Sequence, residues 1–187
     1  MKTHRAIQVA ALSAILAVVS VAAAPRNEPE GSPTAGTWSF GADLGISNST
    51  GDDDFDAEPL VGGYFEYFPT DRLSWRGRLA MLDFDGPPLS PGAPGDVEIL
   101  AVTGNALYHW RGGQVSPFMT AGLGFYDYDP QFGDPGDTEL GLNGGGGMYL
   151  FLTPTVALEF EGLVHGTTED RGPDSFVTGT ASLRLEW

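Results

Sequence analysis

Thr180-Ala181-Ser182-Leu183-Arg184-Leu185-Glu186-Trp187 is the stretch whose reading decides the fold. Ala181, Leu183, Leu185 and Trp187 alternate strictly with Ser182, Arg184 and Glu186. Successive side chains of a β-strand point to opposite faces, so this is a strand with one greasy face and one charged face. A soluble protein normally buries such a face and frays at its terminus. A strand set in lipid needs this pattern instead: apolar residues outward, polar residues inward, and an aromatic ring at the interface.

Seven earlier segments repeat the alternation. The first strand is expected over Thr37–Ser47, with Trp38, Phe40, Ala42, Leu44 and Ile46 opposite Ser39, Gly41, Asp43 and Gly45. The second, Pro59–Phe68, sets Val61, Gly63, Phe65 and Tyr67 against Gly62, Tyr64 and Glu66. The third, Leu73–Asp83, sets Leu73, Trp75, Gly77, Leu79 and Met81 against Ser74, Arg76 and Arg78. The fourth, Val97–Trp110, carries Leu100, Val102, Ala106 and Tyr108 opposite Thr103 and Asn105. A fifth is expected over Val115–Tyr128 and a sixth over Thr138–Leu152, where the run Gly144 to Gly147 falls. The seventh, Val156–His165, sets Val156, Leu158, Phe160 and Val164 against Glu159, Glu161 and His165.

The connections between these segments alternate long and short. Tight ones are expected at Pro69–Arg72, Arg111–Gln114 and Thr153–Thr155, and long ones at the other joints. That is the pattern of an eight-stranded antiparallel up-and-down β-barrel, with extended loops at one end and tight turns at the other. Trp38, Trp75, Trp110 and Trp187 all fall near the tight-turn end. A belt of aromatic residues at one membrane interface predicts this; a soluble core does not.

The start of the chain reads differently. Lys2, His4 and Arg5 precede an apolar run, Ala6 to Val21, followed by Ala22-Ala23-Ala24. This is the layout of a secretory signal, and Pro25 directs cleavage to the bond after Ala23. Residues 1–23 are therefore expected to be a signal peptide, residues 24–35 a polar, proline-rich linker, and residues 36–187 the barrel. No later run is long enough to span a membrane as a helix.

Composition narrows the functional classes. The chain has no cysteine, which excludes disulfides, thiolate metal sites and a lipid-modified cysteine anchor. Lys and Arg number 9 against 25 Asp and Glu, for a net charge of -16, which argues against nucleic-acid binding. The 27 glycines and 14 prolines suit many strands punctuated by turns.

With these residues in hand, the chain resembles the eight-stranded outer-membrane β-barrel superfamily of Gram-negative bacteria, the OmpA-like and OmpX-like barrels. The resemblance is carried by Leu183-x-Leu185-x-Trp187, by Pro117-Phe118 leading to Gly122-Leu123-Gly124, and by the short turns Phe68-Pro69-Thr70-Asp71 and Leu152-Thr153-Pro154. Trp187 stands where that family usually ends in phenylalanine. The resemblance implies export to the bacterial outer membrane, contact with outer-membrane lipid and lipopolysaccharide, and insertion by a barrel-assembly machinery that reads the last strand. A monomer is expected, with no cofactor. Such markers identify a scaffold rather than an activity.

Two residue sets are candidates for function. Asp43, Glu66, Arg76, Arg78, Asn105, Glu159, Glu161, Arg184 and Glu186 share the inward phase. In a barrel of this size side chains fill the interior, so these charges are expected to form an ion-pair network. The alternative is a narrow porin-like channel lined by them. Asp52, Asp53, Asp54 and Asp56 crowd the first long loop, and Asp129, Asp134 and Asp137 the third. Carboxylates converging on glycine turns can hold a divalent cation, although neither loop follows a defined calcium spacing, and solvated acidic loops are the plainer reading.

Catalysis and carriage are weaker readings. A serine-type site, as in lipid A-modifying barrels, needs a histidine beside a nucleophile. His165 can share a face with Glu161, but Thr167 stands where a serine would be wanted, and His109 beside Trp110 is expected to be interfacial. A soluble lipocalin-like carrier would turn the apolar face inward, with Gly36-Thr37-Trp38 as its strand opener.

Overall fold

The computed structural model describes residues 34–50, 58–84, 97–110, 113–130, 137–167 and 175–187. The signal segment, nearly all of the linker, and Asp52, Asp53, Asp54, Asp56 and Asp134 lie outside the described residues. Eight strands follow in order: β1 (Trp38–Ser49), β2 (Glu58–Thr70), β3 (Leu73–Phe84), β4 (Val97–His109), β5 (Val115–Pro130), β6 (Asp137–Thr153), β7 (Val156–Gly166) and β8 (Ser175–Glu186). Each pairs antiparallel with the next, and β1 pairs with β8 to close a barrel. Closure leaves no sheet edge, so every strand finds backbone partners on both sides without water.

The closing seam uses the stretch quoted first. Leu185 lies opposite Phe40, Leu183 opposite Ala42 and Arg184 opposite Gly41. At its end Trp38 and Trp187 exchange backbone hydrogen bonds, each 3.0 Å from N to O.

Two of the tight turns share one construction. In Thr70-Asp71-Arg72-Leu73 the Thr70 hydroxyl accepts from the backbone N–H of Arg72 at 3.3 Å and of Leu73 at 3.0 Å. In Thr153-Pro154-Thr155-Val156 the Thr153 hydroxyl accepts from Thr155 at 3.3 Å and Val156 at 3.0 Å. A threonine side chain thus replaces a missing ladder bond at each reversal. The register shifts beside both turns, between Tyr67 and Thr70 and between Phe151 and Thr153. The third turn is closed by Gly113, whose φ of 68° falls where glycine carries no steric cost.

Alternation sorts the side chains into wall and lumen. Leu44 is 70% exposed, Leu142 64% and Phe125 59%, all on the outside. Glu66, Arg76, Glu159 and Arg184 are buried inside. The apolar face therefore points outward on every strand, which overturns the lipocalin-like alternative: that fold requires the greasy face around an internal ligand. Strand ends differ from the sequence expectation by one or two residues. Trp110 lies past β4: its N–H still donates to the Pro117 carbonyl at 2.9 Å, but Pro117 has no N–H to return a bond and the ladder stops there. The ladder between β4 and β5 runs on to Val97 and Pro130, so β5 outlasts the expected end at Tyr128.

Candidate functional site: the barrel lumen

The lumen is layered. Its middle is a charged network contributed by β1, β2, β3, β7 and β8. Glu66 and Arg76 are direct cross-strand neighbours, a consequence of the two-residue turn between β2 and β3. Arg76 then reaches across the barrel. Its Nη1 donates to Glu159 Oε1 and Glu161 Oε2, both at 2.6 Å, and its Nη2 to Glu66 Oε2 at 3.0 Å and the Tyr149 hydroxyl at 2.7 Å. The guanidinium also lies over the Tyr64 ring, 3.9 Å from its centroid.

Arg78, one residue pair along β3, bonds Glu161 through Nη1 and holds its Nε 3.0 Å from Asp43 Oδ2. Asp43 Oδ1 accepts from the Ser182 hydroxyl at 2.5 Å. Nearer the tight turns, Arg184 donates from Nη1 to Glu186 Oε2 at 2.7 Å and from Nε to Ser39 Oγ at 3.1 Å. Glu186 also accepts from Thr37 at 3.1 Å. Asn105 bonds Asn143 and, at 3.3 Å, Thr120. The structure therefore brings Asp43, Glu66, Arg76, Arg78, Glu159 and Glu161 into one continuous array. Arg184 and Glu186 adjoin it, with Arg184 Nε 3.9 Å from Glu66.

Buried charges need this many partners because desolvation outweighs any single ion pair. Two tyrosines that charge-based reading overlooks complete the set. Tyr149 donates to Glu66 at 3.0 Å, and Tyr64 donates to Glu159. Gly41 makes the latter possible: a Cβ there would collide with the Tyr64 ring, which crosses the bare backbone to reach β7. Both tyrosines sit on the inward phase, which was the one signal that could have found them.

Apolar clusters flank the network on both sides. On the tight-turn side Leu107, Phe118, Tyr149, Phe151 and Ala157 cluster, with Phe118 and Tyr149 stacked at 4.9 Å. On the long-loop side Leu60, Leu82, Ile99, Tyr126 and Phe176 belong to a second cluster. The lumen therefore holds charge beneath an apolar cluster on the long-loop side, while on the tight-turn side the aromatic cluster is interleaved with Arg184, whose guanidinium lies 4.6 Å from the Tyr149 ring centroid.

His109 is a correction. It does not face an interface: it is 1% exposed inside the barrel, with Nε2 2.7 Å from Ser74 Oγ. The reason is parity, since His109 shares the phase of Asn105 and Leu107 while Trp110 takes the outside. Ser74 in turn bonds Glu66. Serine, histidine and glutamate thus meet, but not as a catalytic triad. The carboxylate is on the serine, and His109 Nδ1, which an orienting carboxylate would have to hold, has no hydrogen-bond partner. His165 lies in the lumen as well, hydrogen-bonded to Tyr126 at 2.8 Å and Thr178 at 3.1 Å and stacked on Phe176.

The remaining candidates lie on the outside or beyond reach. Trp38, Trp75, Trp110 and Trp187 are exposed on the outer wall at the tight-turn end, with Leu183 and Leu185 above the last. Trp38 packs against Tyr67 at 4.6 Å, and Trp110 meets Tyr108 edge-on at 5.3 Å. Among the acidic metal candidates, the backbones of Asp129 and Asp137 pair with Glu98 and Tyr128 in the ladders. Among the described residues no three His, Asp or Glu side chains are grouped to hold a metal ion.

The barrel is similar to the N-terminal β-barrel domain of Pseudomonas aeruginosa OprF, at 16% identity and a TM-score of 0.56, covering 82% of this chain and 98% of that one. It is also similar to Neisserial surface protein A (14%, 0.56, covering 81% and 96%) and to a major outer membrane protein of Thermus thermophilus (13%, 0.52, covering 80% and 99%). At these identities the likeness is one of fold. No curated protein matches the sequence. The family model for the outer membrane protein beta-barrel domain matches residues 11–186. An apolar outer wall, a closed eight-stranded barrel and a family match over almost the whole chain lead to one conclusion: the protein belongs to the outer membrane β-barrel family, whose place is the bacterial outer membrane.

Proposed function

We propose that this protein is a small, exported surface barrel with a structural or interaction role, exercised through its acidic extracellular loops. The observation that carries the reading is the filled lumen: ion pairs and the apolar clusters packed against them leave the barrel little to transport. On such a scaffold function resides in the loops, and here they are rich in carboxylates, including Asp52, Asp53, Asp54, Asp56 and Asp134. These suit solvation, or contact with lipopolysaccharide through shared divalent ions. The protein is a monomer in outer-membrane lipid, inserted by the barrel-assembly machinery, and needs neither a cofactor nor nucleic acid. Its signal peptide is removed after Ala23, so N-terminal sequencing of the mature protein should begin at Ala24.

A narrow porin-like channel is the second reading, and the charged array spanning the middle of the lumen is what favours it. Planar bilayers separate the two. A surface barrel gives no discrete conductance steps. Steps that change when Glu66→Gln or Arg76→Gln is introduced would favour the channel. Lipid A chemistry lost in His165→Ala would instead make the protein an enzyme.

A further inference from the structure

Four described residues precede β1, and hydrogen bonds tie them to the tight-turn end of the barrel. Thr34-Ala35-Gly36-Thr37 is a reverse turn, closed by the Thr37 N–H on the Thr34 carbonyl at 3.2 Å. Gly36 sits at its third position with a φ of 86°, where a type II turn favours glycine. The segment also takes both backbone groups of Phe68. The Gly36 N–H donates to the Phe68 carbonyl at 2.7 Å, and the Phe68 N–H donates to Thr37 O at 3.1 Å. The Ala35 N–H donates to Asp71 Oδ1 at 2.9 Å, in the turn between β2 and β3. On the other flank the Thr37 hydroxyl lies 3.1 Å from Glu186 Oε1, at the end of β8.

These bonds fall where the regular ladders give out. The β2–β3 register shifts between Tyr67 and Thr70, and Pro69 has no N–H to offer. The β1–β8 seam ends at the Trp38–Trp187 pair. We propose that Thr34–Thr37 is a latch: docked, it joins the β2–β3 turn to the end of β8 and holds the closing seam shut at the tight-turn mouth. Released, it lets that mouth fray while the rest of the barrel stays closed. Hydrogen bonds rather than apolar burial hold it in place, since Thr34, Ala35 and Gly36 are exposed. Segments of that kind open locally at a fraction of the free energy of global unfolding. The latch also reaches the charged lumen, because the Glu186 carboxylate is shared between Thr37 and Arg184.

Residue-resolved amide hydrogen exchange of the full-length mature protein in lipid nanodiscs tests the latch, in the native chain and in Gly36→Val and Asp71→Ala. A Cβ at Gly36 would meet no atom within 4 Å, so Gly36→Val acts through the backbone angle rather than through crowding. In the native protein the Ala35 and Gly36 amides should be protected. Gly36→Val should speed exchange at Phe68, Trp38 and Trp187 about tenfold, with the β4–β5 ladder unchanged. Asp71→Ala should speed exchange at Ala35 and likewise leave β4–β5 untouched. Native Ala35 and Gly36 amides that exchange like those of a free peptide would overturn the proposal. So would a seam indifferent to Gly36→Val, or Ala35 exchange unaltered in Asp71→Ala. Equal acceleration in every ladder would also overturn it, because that marks a general loss of stability and not an opened latch.

Discussion

The two faces of β3 ask opposite things of the sequence. Outward, Leu73, Trp75, Gly77, Leu79 and Met81 meet an apolar solvent that accepts any greasy side chain. Inward, Ser74, Arg76 and Arg78 are buried from bulk solvent, so their polar atoms need partners inside the barrel. The wall is specified by composition and the lumen by pairing. Substitutions of similar chemistry should therefore be forgiven outside, while deletion of one lumen partner is felt by all the others.

Five experiments would break or sharpen that contrast, each read as an unfolding midpoint in urea with the barrel in lipid. Arg76→Ala strips the shared cation from Glu66, Glu159 and Glu161, and should cost about 3–5 kcal/mol; native-like stability would dissolve the distinction. Leu44→Arg places a charge on the outer wall, and should cost about 2–4 kcal/mol if Leu44 lies near the bilayer midplane. The coupling between Arg76→Ala and Glu66→Gln should be on the order of 0.5–3 kcal/mol, the double variant losing less than the sum. Strict additivity would show that the array is only a set of neighbours. Thr153→Ala removes the hydroxyl that closes the β6–β7 turn, for about 1 kcal/mol. Leu44→Val, which keeps the wall apolar, should change stability by no more than about 0.8 kcal/mol; a larger loss would mean the wall is also specific.

This contrast also explains what could be read in advance. Period-two alternation placed Leu183 and Leu185 outside and Arg184 inside, and alternating connection lengths placed the tight turns, so the eight strands and their order were legible. Alternation assigns a face but not a height or a partner. Arg76 and Glu159 lie on strands that never pair with each other, and only closure of the barrel brings them within 2.6 Å. The layering was hidden for the same reason: Leu60 and Leu82 share the inward phase with Glu66 and Arg76, and their separation into a plug depends on position along the strand. His109 follows strand parity rather than its neighbour: Trp110 takes the outer wall and His109 the lumen. The phenols of Tyr64 and Tyr149 carry no formal charge, so charge alone does not mark them as members of the array.

The most direct test of the central claim, that alternation closes a barrel with its greasy face in lipid, is gel mobility of the mature protein in detergent, boiled against unboiled. A mobility shift on boiling is expected, because a closed ladder joined at Trp38 and Trp187 resists detergent until heated. A protein that shows no shift and stays soluble once detergent is removed would contradict the claim.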